Sequence, residues 1–385
     1  MHPSVRHAFR ADLSAAQAAV RTGVVEKRAR AADRQWDRWL AYCRDHSVDP
    51  WFSQGDDPIP YLQVFATRYR HERRGPSGDP VRSATVANAL RDIGQTYKAL
   101  GSPDIRLDAF GGIDFRLQRQ LRSYTKEDPP PDRVKPVPIQ VVRAMLQAAY
   151  QPHAPVDNAF RAIADMTCLG FFFMLRPGEH TYLKTNTPFT SADVKLYIGR
   201  RLLNHGYASA ADLHAATSVS LTFTTQKNGV KGEVITHGRS GHDYACPVKA
   251  IVRRVWYLRE VARLPRTTPL CAYKEGTRLR HVTSNNVTLA IRAAMLLVDP
   301  DTLDILPHEV EARSLRAGGA TALLCAGIDN NTIQLLGRWK SDAMLRYLHV
   351  QAAPIIRRLA ALMYSNGSYT FAPGTLVPQL PVGVT

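Results

Sequence analysis

Apolar residues recur at helical spacing through the first 125 residues. From Ala15 to His46 they include Trp36, Trp39, Leu40 and Cys43, and Arg28, Arg30, Arg34, Arg38 and Arg44 crowd the same stretch. Pro60 to Arg74 reads as a second helix stopped by Gly75-Pro76, Ser83 to Leu100 as a third ended by Gly101, and Phe115 to Tyr124 as a short fourth. Residues 1–125 therefore read as a helical bundle rich in arginine. The Pro-rich stretch Lys126 to Pro138, with five prolines, forbids a helix and favours an extended, semi-rigid strap, which places a linker at 126–138.

The pattern then changes. Ile139 to Tyr150 and Phe160 to Met174 read as helices, the second of them buried. Alternation in Val194 to Ile198 and Val219 to Phe223 predicts strands, Asn228-Gly229 a hairpin turn, and Gly232 to His237 the return strand. Helices resume at Pro247 to Ala262, Asn285 to Leu297, Leu315 to Ala326, Asn331 to Leu336 and Ala343 to Tyr347. Pro354 to Met363 has the pattern of one more amphipathic helix, and the Gly-, Pro- and Val-rich tail of 366–385 reads as flexible. The expected fold is mainly α with one small β-sheet, and 139–365 is its second domain.

Charge narrows the choice of partner. The 385 residues carry a formal charge of +17, which points to a polyanion, with nucleic acid ahead of an acidic membrane because the basic residues are spread out. The apolar fraction of 45% is ordinary for a globular protein. Five cysteines, odd in number, far apart and mostly in apolar surroundings, read as reduced core residues and support no zinc site. The N-terminus lacks an apolar signal core, and the longest apolar patch, Cys168 to Leu175, is too short to span a membrane. An intracellular protein is expected, nuclear if its host is a eukaryote.

Several basic residues and one tyrosine suit a single kind of chemistry. Arg176 follows the apolar run Leu169 to Leu175, with a break expected at Pro177-Gly178 and Glu179 placed to orient it, although a buried ion pair would look the same. Lys227 precedes the Asn228-Gly229 turn, where a mobile ammonium could protonate a leaving oxygen; Lys231 is its neighbour and competitor. Arg313 and Arg316 open a helix beside Ala317-Gly-Gly-Ala320, small residues that permit close approach of other backbone or of DNA. Gly327 reads as a helix C-cap and Asp329-Asn330 as the cap of the next helix, which ends at Gly337 and presents Arg338 and Trp339; Tyr347 follows. Arginines can neutralise a phosphodiester, a lysine can protonate the departing oxygen, and a tyrosine can attack phosphorus.

In type, order and spacing this set resembles the tyrosine recombinases, the lambda-integrase-type DNA strand-exchange enzymes. That family closes an apolar helix with an arginine and, three residues on, a carboxylate, as in Arg176 and Glu179. Its hairpin lysine is similar to Lys227 in Gln-Lys-Asn-Gly, its His-x-x-Arg box to Arg313-Ser-Leu-Arg316, and its Leu-Leu-Gly-His box with a tyrosine nine residues later to Leu335-Leu-Gly-Arg338 and Tyr347. The wording around the last two boxes looks most like recombinases of eukaryotic Crypton- or DIRS-type elements. Arg313 stands where the family usually has histidine, and His308 is nearby at the wrong spacing. Whether Arg338 or Trp339 fills the last box stays open at this stage.

The resemblance implies a helical core-binding (SAM-like) domain before a catalytic domain. It also implies site-specific cutting and rejoining of double-stranded DNA through a 3′-phosphotyrosyl link, with no metal and no cofactor. Tyr347, Arg176, Lys227, Arg313, Arg316, Arg338, Trp339 and Glu179 are the expected catalytic set. Arg28, Arg34, Arg38, Lys135 and Lys231 are expected to bind DNA. Dimers on paired half-sites and a tetrameric synapse follow from the family, with the 354–363 helix a candidate for docking on a neighbouring subunit. A type IB topoisomerase would use the same pocket, and a non-catalytic DNA-binding derivative would explain the missing histidine. RNA binding has no motif to support it.

Overall fold

In a computed structural model the chain divides into two units, Met1–Pro131 and Asp132–Thr385. The structure describes residues 3–24, 26–52, 55–72, 78–130, 134–153, 157–184, 186, 188–224, 232–299, 303, 305–340 and 345. The expected hairpin turn with Lys227 and Lys231, the helix carrying Tyr347, the 354–363 helix and the tail lie outside the described residues.

The first unit is all-helical: α1 (Pro3–Thr22), α2 (Glu26–Asp45), α3 (Ile59–Glu72), α4 (Ser83–Ala99) and α5 (Phe115–Glu127). The helical period expected from Ala15 to His46 is interrupted at Gly23-Val24, so it belongs to two helices. The core forms where the aromatic stripe of α2 meets α3 and α4. Trp39 is fully buried, edge-on to Phe65 at 5.4 Å, and donates its indole N–H to the Tyr97 hydroxyl at 2.8 Å. Each buried polar tip thereby has a partner, since Tyr97 donates in turn to the Pro50 carbonyl. Gly101, at φ +86, ends α4 in the left-handed conformation that a Cβ disfavours.

Arg70 ties the end of α5 back to this bundle. Its buried guanidinium pairs with Asp128 at 2.8 Å and lies 4.6 Å over the Tyr124 ring. Asp128 also accepts from the Ser83 N–H at 2.8 Å, so the start of the Pro-rich stretch is pinned to the first unit. Its far end belongs to the second unit, where the Val137 N–H donates to the Ser314 carbonyl at 3.2 Å and the side chain is fully buried.

The second unit holds α6 (Ile139–Tyr150), α7 (Asn158–Phe172), α8 (Pro177–His180), α9 (Ala210–Ala215), α10 (Pro247–Trp256), α11 (Ser284–Met295), α12 (Ser314–Cys325) and α13 (Asn330–Gly337). Four antiparallel strands, β1 (Val194–Ile198), β2 (Arg201–Leu203), β3 (Ser218–Phe223) and β4 (Glu233–Gly238), lie in the order β2-β1-β3-β4. A separate hairpin pairs β5 (Ala272–Glu275) with β6 (Arg278–His281). Three of these strands, β2, β5 and β6, and the short helix α9 are not legible in the sequence pattern. The expected sheet is present, with Val219 opposite His237 and Leu221 opposite Ile235.

Helix α7 is the centre of the unit, with almost every side chain from Ala164 to Phe171 buried. Its one buried carboxylate, Asp165, accepts from Arg253 of α10 at 2.6 Å and from the Tyr150 hydroxyl of α6 at 2.7 Å. One fully desolvated charge is thus paired and hydrogen-bonded, which is the condition for burying it.

Among the described residues no helix is long and apolar enough to cross a membrane.

Candidate active site

The site forms at the C-terminal end of α7. The helix stops earlier than Pro177-Gly178 implies: Phe173 is its C-cap and Met174 turns left-handed at φ +47. Pro177 instead opens the short helix α8, for which its fixed φ is suited. The turn leaves the Phe173 and Met174 carbonyls without helical acceptors' usual donors, at the negative end of the helix dipole. Arginines fill that need.

Arg316, buried on the first turn of α12, donates through Nη1 to the Met174 carbonyl at 2.6 Å, across 142 residues of chain. Its Nη2 donates to the Gly337 carbonyl, and its guanidinium carbon lies 4.1 Å from the centre of the Trp339 ring. Arg338 donates to the same Met174 carbonyl through Nη2 at 3.3 Å. Arg176 caps α8: its N–H and its Nη1 both donate to Glu179, at 2.8 and 3.0 Å. Glu179 also accepts from Arg338 Nη2 at 3.1 Å, so one carboxylate joins two guanidiniums.

Arg176, Glu179, Arg316, Arg338 and Trp339 are therefore brought together. Of the three guanidiniums, Arg176 is the most open, its side chain 27% exposed and Glu179 its one side-chain partner among the described residues. Burial lowers the pKa of Arg338, the like charge of Arg176 adds to the fall, and Glu179 opposes it. Arg313 is elsewhere: its exposed side chain pairs with Glu311 at 2.9 Å. His308 is exposed and shows no contact with the cluster among the described residues.

The small residues of α12 serve protein backbone. A Cβ on Gly318 would collide with the Val137 carbonyl, and one on Gly319 with the Phe171 carbonyl. Those close approaches seat Arg316 beside the end of α7. The helix caps read from the sequence are also present: Asp329 accepts from the Thr332 N–H at 2.9 Å, and Gly327 has φ +80.

Three neighbours of the cluster fall outside the set expected from the sequence. Met174 supplies the shared carbonyl. Phe223, on β3, packs its ring 3.8 Å from the Arg338 guanidinium carbon. His180, 2% exposed, bonds the Arg176 carbonyl through Nδ1 at 3.0 Å, and burial holds its pKa down at about 4. The pentapeptide Arg-Pro-Gly-Glu-His could have flagged His180, because a histidine one turn after an arginine can reach its carbonyl.

The residues expected to bind DNA are placed individually. Arg28 pairs with the buried Asp92 at 2.5 Å, Arg34 is exposed, and Arg38 donates to Gln35 at 3.0 Å. Lys135 pairs with Glu309 at 3.2 Å.

The fold is similar to that of the Tn1549 transposon integrase in complex with transposon right end DNA, with a TM-score of 0.50 at 14% identity, over 93% of this chain and 99% of that one. The XerA recombinase matches at a TM-score of 0.36 and 14% identity over 91% and 95%, and an integrase from mycobacterium phage Brujita at 0.30 and 16% over 89% and 90%. No protein-family model and no curated protein matches the chain. The chain thus shares with that transposon integrase a fold that is mostly helical with a small antiparallel sheet.

Proposed function

We propose that the chain is a site-specific DNA recombinase or transposase that cuts and rejoins strands through a phosphotyrosine. The observation that carries this reading is the gathering of Arg176, Arg316 and Arg338 at the end of α7, from segments distant in sequence: Arg176 and Arg338 share the Glu179 carboxylate, and Arg316 and Arg338 share the Met174 carbonyl. Clustered guanidiniums in a largely buried site form a preorganised anion site, strongest for an oxyanion whose charge grows during reaction. A fold shared with a transposon integrase solved on transposon DNA and a formal charge of +17 support DNA as the polyanion.

In this reading the Tyr347 hydroxyl oxygen attacks phosphorus and loses its proton. The bond from phosphorus to the 5′ oxygen breaks, and Lys227 gives that oxygen a proton. The products are a 3′-phosphotyrosyl link and a free 5′-hydroxyl. Arg176 and Arg316 hold the non-bridging oxygens; the resemblance adds Arg313, with Arg338 or Trp339, to the pocket, and of these Trp339 packs on Arg316 while Arg313 pairs with Glu311 outside the cluster. Attack by another strand's 5′-hydroxyl reverses the chemistry, so the bond energy is conserved and no ATP is consumed. The proposal extends to dimers on paired half-sites, a tetrameric synapse and a Crypton- or DIRS-type origin.

The test uses nicked duplexes bearing the sequences that flank the coding element. A covalent protein–DNA adduct on a denaturing gel, lost in Tyr347→Phe, supports the reading; tight binding without an adduct sinks it. The second reading, a non-catalytic DNA-binding derivative, is favoured by Arg313, which pairs with Glu311 outside the cluster. Relaxation of a supercoiled plasmid lacking any such site would instead indicate a topoisomerase.

A further inference from the structure

Arg338 occupies the place where the sequence resemblance expects a histidine facing phosphate. Its donors are otherwise engaged. A guanidinium has four terminal N–H bonds and one on Nε. Here Nη1 donates to the Phe173 carbonyl at 3.2 Å and the Leu336 carbonyl at 3.3 Å. Nη2 donates to the Met174 carbonyl at 3.3 Å and to Glu179 Oε2 at 3.1 Å. All four terminal N–H bonds are directed into the protein. The Nε–H is buried and has no acceptor among the described residues, and the side chain is 1% exposed. No donor of Arg338 faces outward to meet a phosphate oxygen.

The backbone shows how the side chain came to be turned inward. Arg338 caps α13 in the left-handed conformation, φ 58 and ψ 41, where glycine or asparagine is the easier choice. That conformation sends the residues of Gly337-Arg338-Trp339 in different directions. The Gly337 carbonyl and the Trp339 ring close on Arg316, while the Arg338 side chain passes to Glu179, which holds Arg176. Gly337 cannot carry a side chain, because a Cβ there would lie inside the Trp339 ring.

We infer that Arg338 is a positioning residue and not a phosphate ligand: it locks the Met174 turn and Glu179, and so fixes Arg176 and Arg316 relative to one another. Trp339 is then the residue of this box whose side chain packs on Arg316 of the anion site. The inference rests on the strand-exchange reading only where cleavage is measured.

Two measurements on the full chain test it. The first is thermal unfolding without DNA of Arg338→Lys, which keeps the charge but offers three mobile donors for four fixed acceptors. A fall in Tm of about 5 °C or more is expected. An unchanged or raised Tm overturns the inference, because a cation reserved for phosphate is not needed by the free protein. The second compares adduct formation on nicked duplexes with an ordinary scissile phosphate and with a neutral methylphosphonate. A residue that neutralises phosphate becomes dispensable when the charge is gone, so the deficit of Arg316→Ala shrinks on the neutral substrate. The deficit of Arg338→Lys, roughly tenfold or more, stays the same on both. Wild-type cleavage by Arg338→Lys, or its rescue by methylphosphonate, overturns the inference. Should Arg338→Lys not fold, Glu179→Gln, which drops the charge that holds both arginines, takes its place in both arms. If the wild type forms no adduct, the strand-exchange reading fails and the Tm alone decides on Arg338.

Discussion

The Arg316 guanidinium carbon lies 4.1 Å from the centre of the Trp339 ring, and both sit on the Met174 turn that ends α7. A desolvated cation over an indole is worth about 2 kcal/mol, so the ring fixes the arginine as well as filling space. Trp339→Ala is expected to destabilise the protein by about 2–4 kcal/mol, and Trp339→Phe, which keeps a weaker π-face, by clearly less. Urea denaturation of the two variants checks the order; equal losses would mean that the ring only fills volume.

Gly318 and Gly319 let α12 touch other backbone, and backbone cannot step aside as a side chain can. Gly318→Ala and Gly319→Ala should each cost about 2 kcal/mol or more through overpacking against the Val137 and Phe171 carbonyls. Gly327→Ala has open space and only the strain of φ +80, so about 1 kcal/mol is expected there. Denaturation midpoints for the three variants give the comparison, and Gly327→Ala as the worst of the set would contradict it.

Stability should fall in mild acid. Burial lowers the pKa of His180 to about 4, and burial also lowers those of His237 and His205. Below an ordinary value near 6.5 the unfolded chain takes up protons that the folded protein refuses. The contribution of His180 is therefore complete above about pH 6.5 and is lost as the pH falls towards 4, up to about 3 kcal/mol. Unfolding free energies measured across that interval should decline, and His180→Gln should flatten the decline by roughly 1 kcal/mol per pH unit. An identical slope in the variant would assign the effect to other groups.

Asp165 pins three helices through Arg253 and Tyr150. Its charge holds the Arg253 pKa up against burial, and burial with the nearby carboxylate pushes the Tyr150 hydroxyl up as well. Asp165→Ala leaves a buried guanidinium unpaired and should cost about 3–5 kcal/mol. The double variant Asp165→Leu with Arg253→Met should recover much of that loss. Calorimetry of the single and double variants decides whether the pair or its burial matters.

Much of this protein is legible in its sequence. The helical period placed α3, α4, α6, α7 and α10 to α13 within a few residues, because a buried stripe must recur every 3.6 residues. Alternation placed β1 and β3, the Asn228-Gly229 turn signal placed β4 as their return strand, and Asp329, Gly101 and Gly327 marked helix ends by local chemistry alone. The strands β2, β5 and β6 are not legible because they are three or four residues long, too short for alternation to stand out, and β2 and β6 are also largely exposed. The choice between Arg338 and Trp339 was not in the sequence either. Adjacent residues differ by only one step along the chain, but which of them turns inward depends on a left-handed backbone and on acceptors about 160 residues away. The same is true of Arg313, which Glu311 draws away from Arg316 although the two open one helix. Sequence fixes which groups are available and where the chain can bend. The pairing of a charge is settled only when folding decides which carbonyls and carboxylates lose their water beside it.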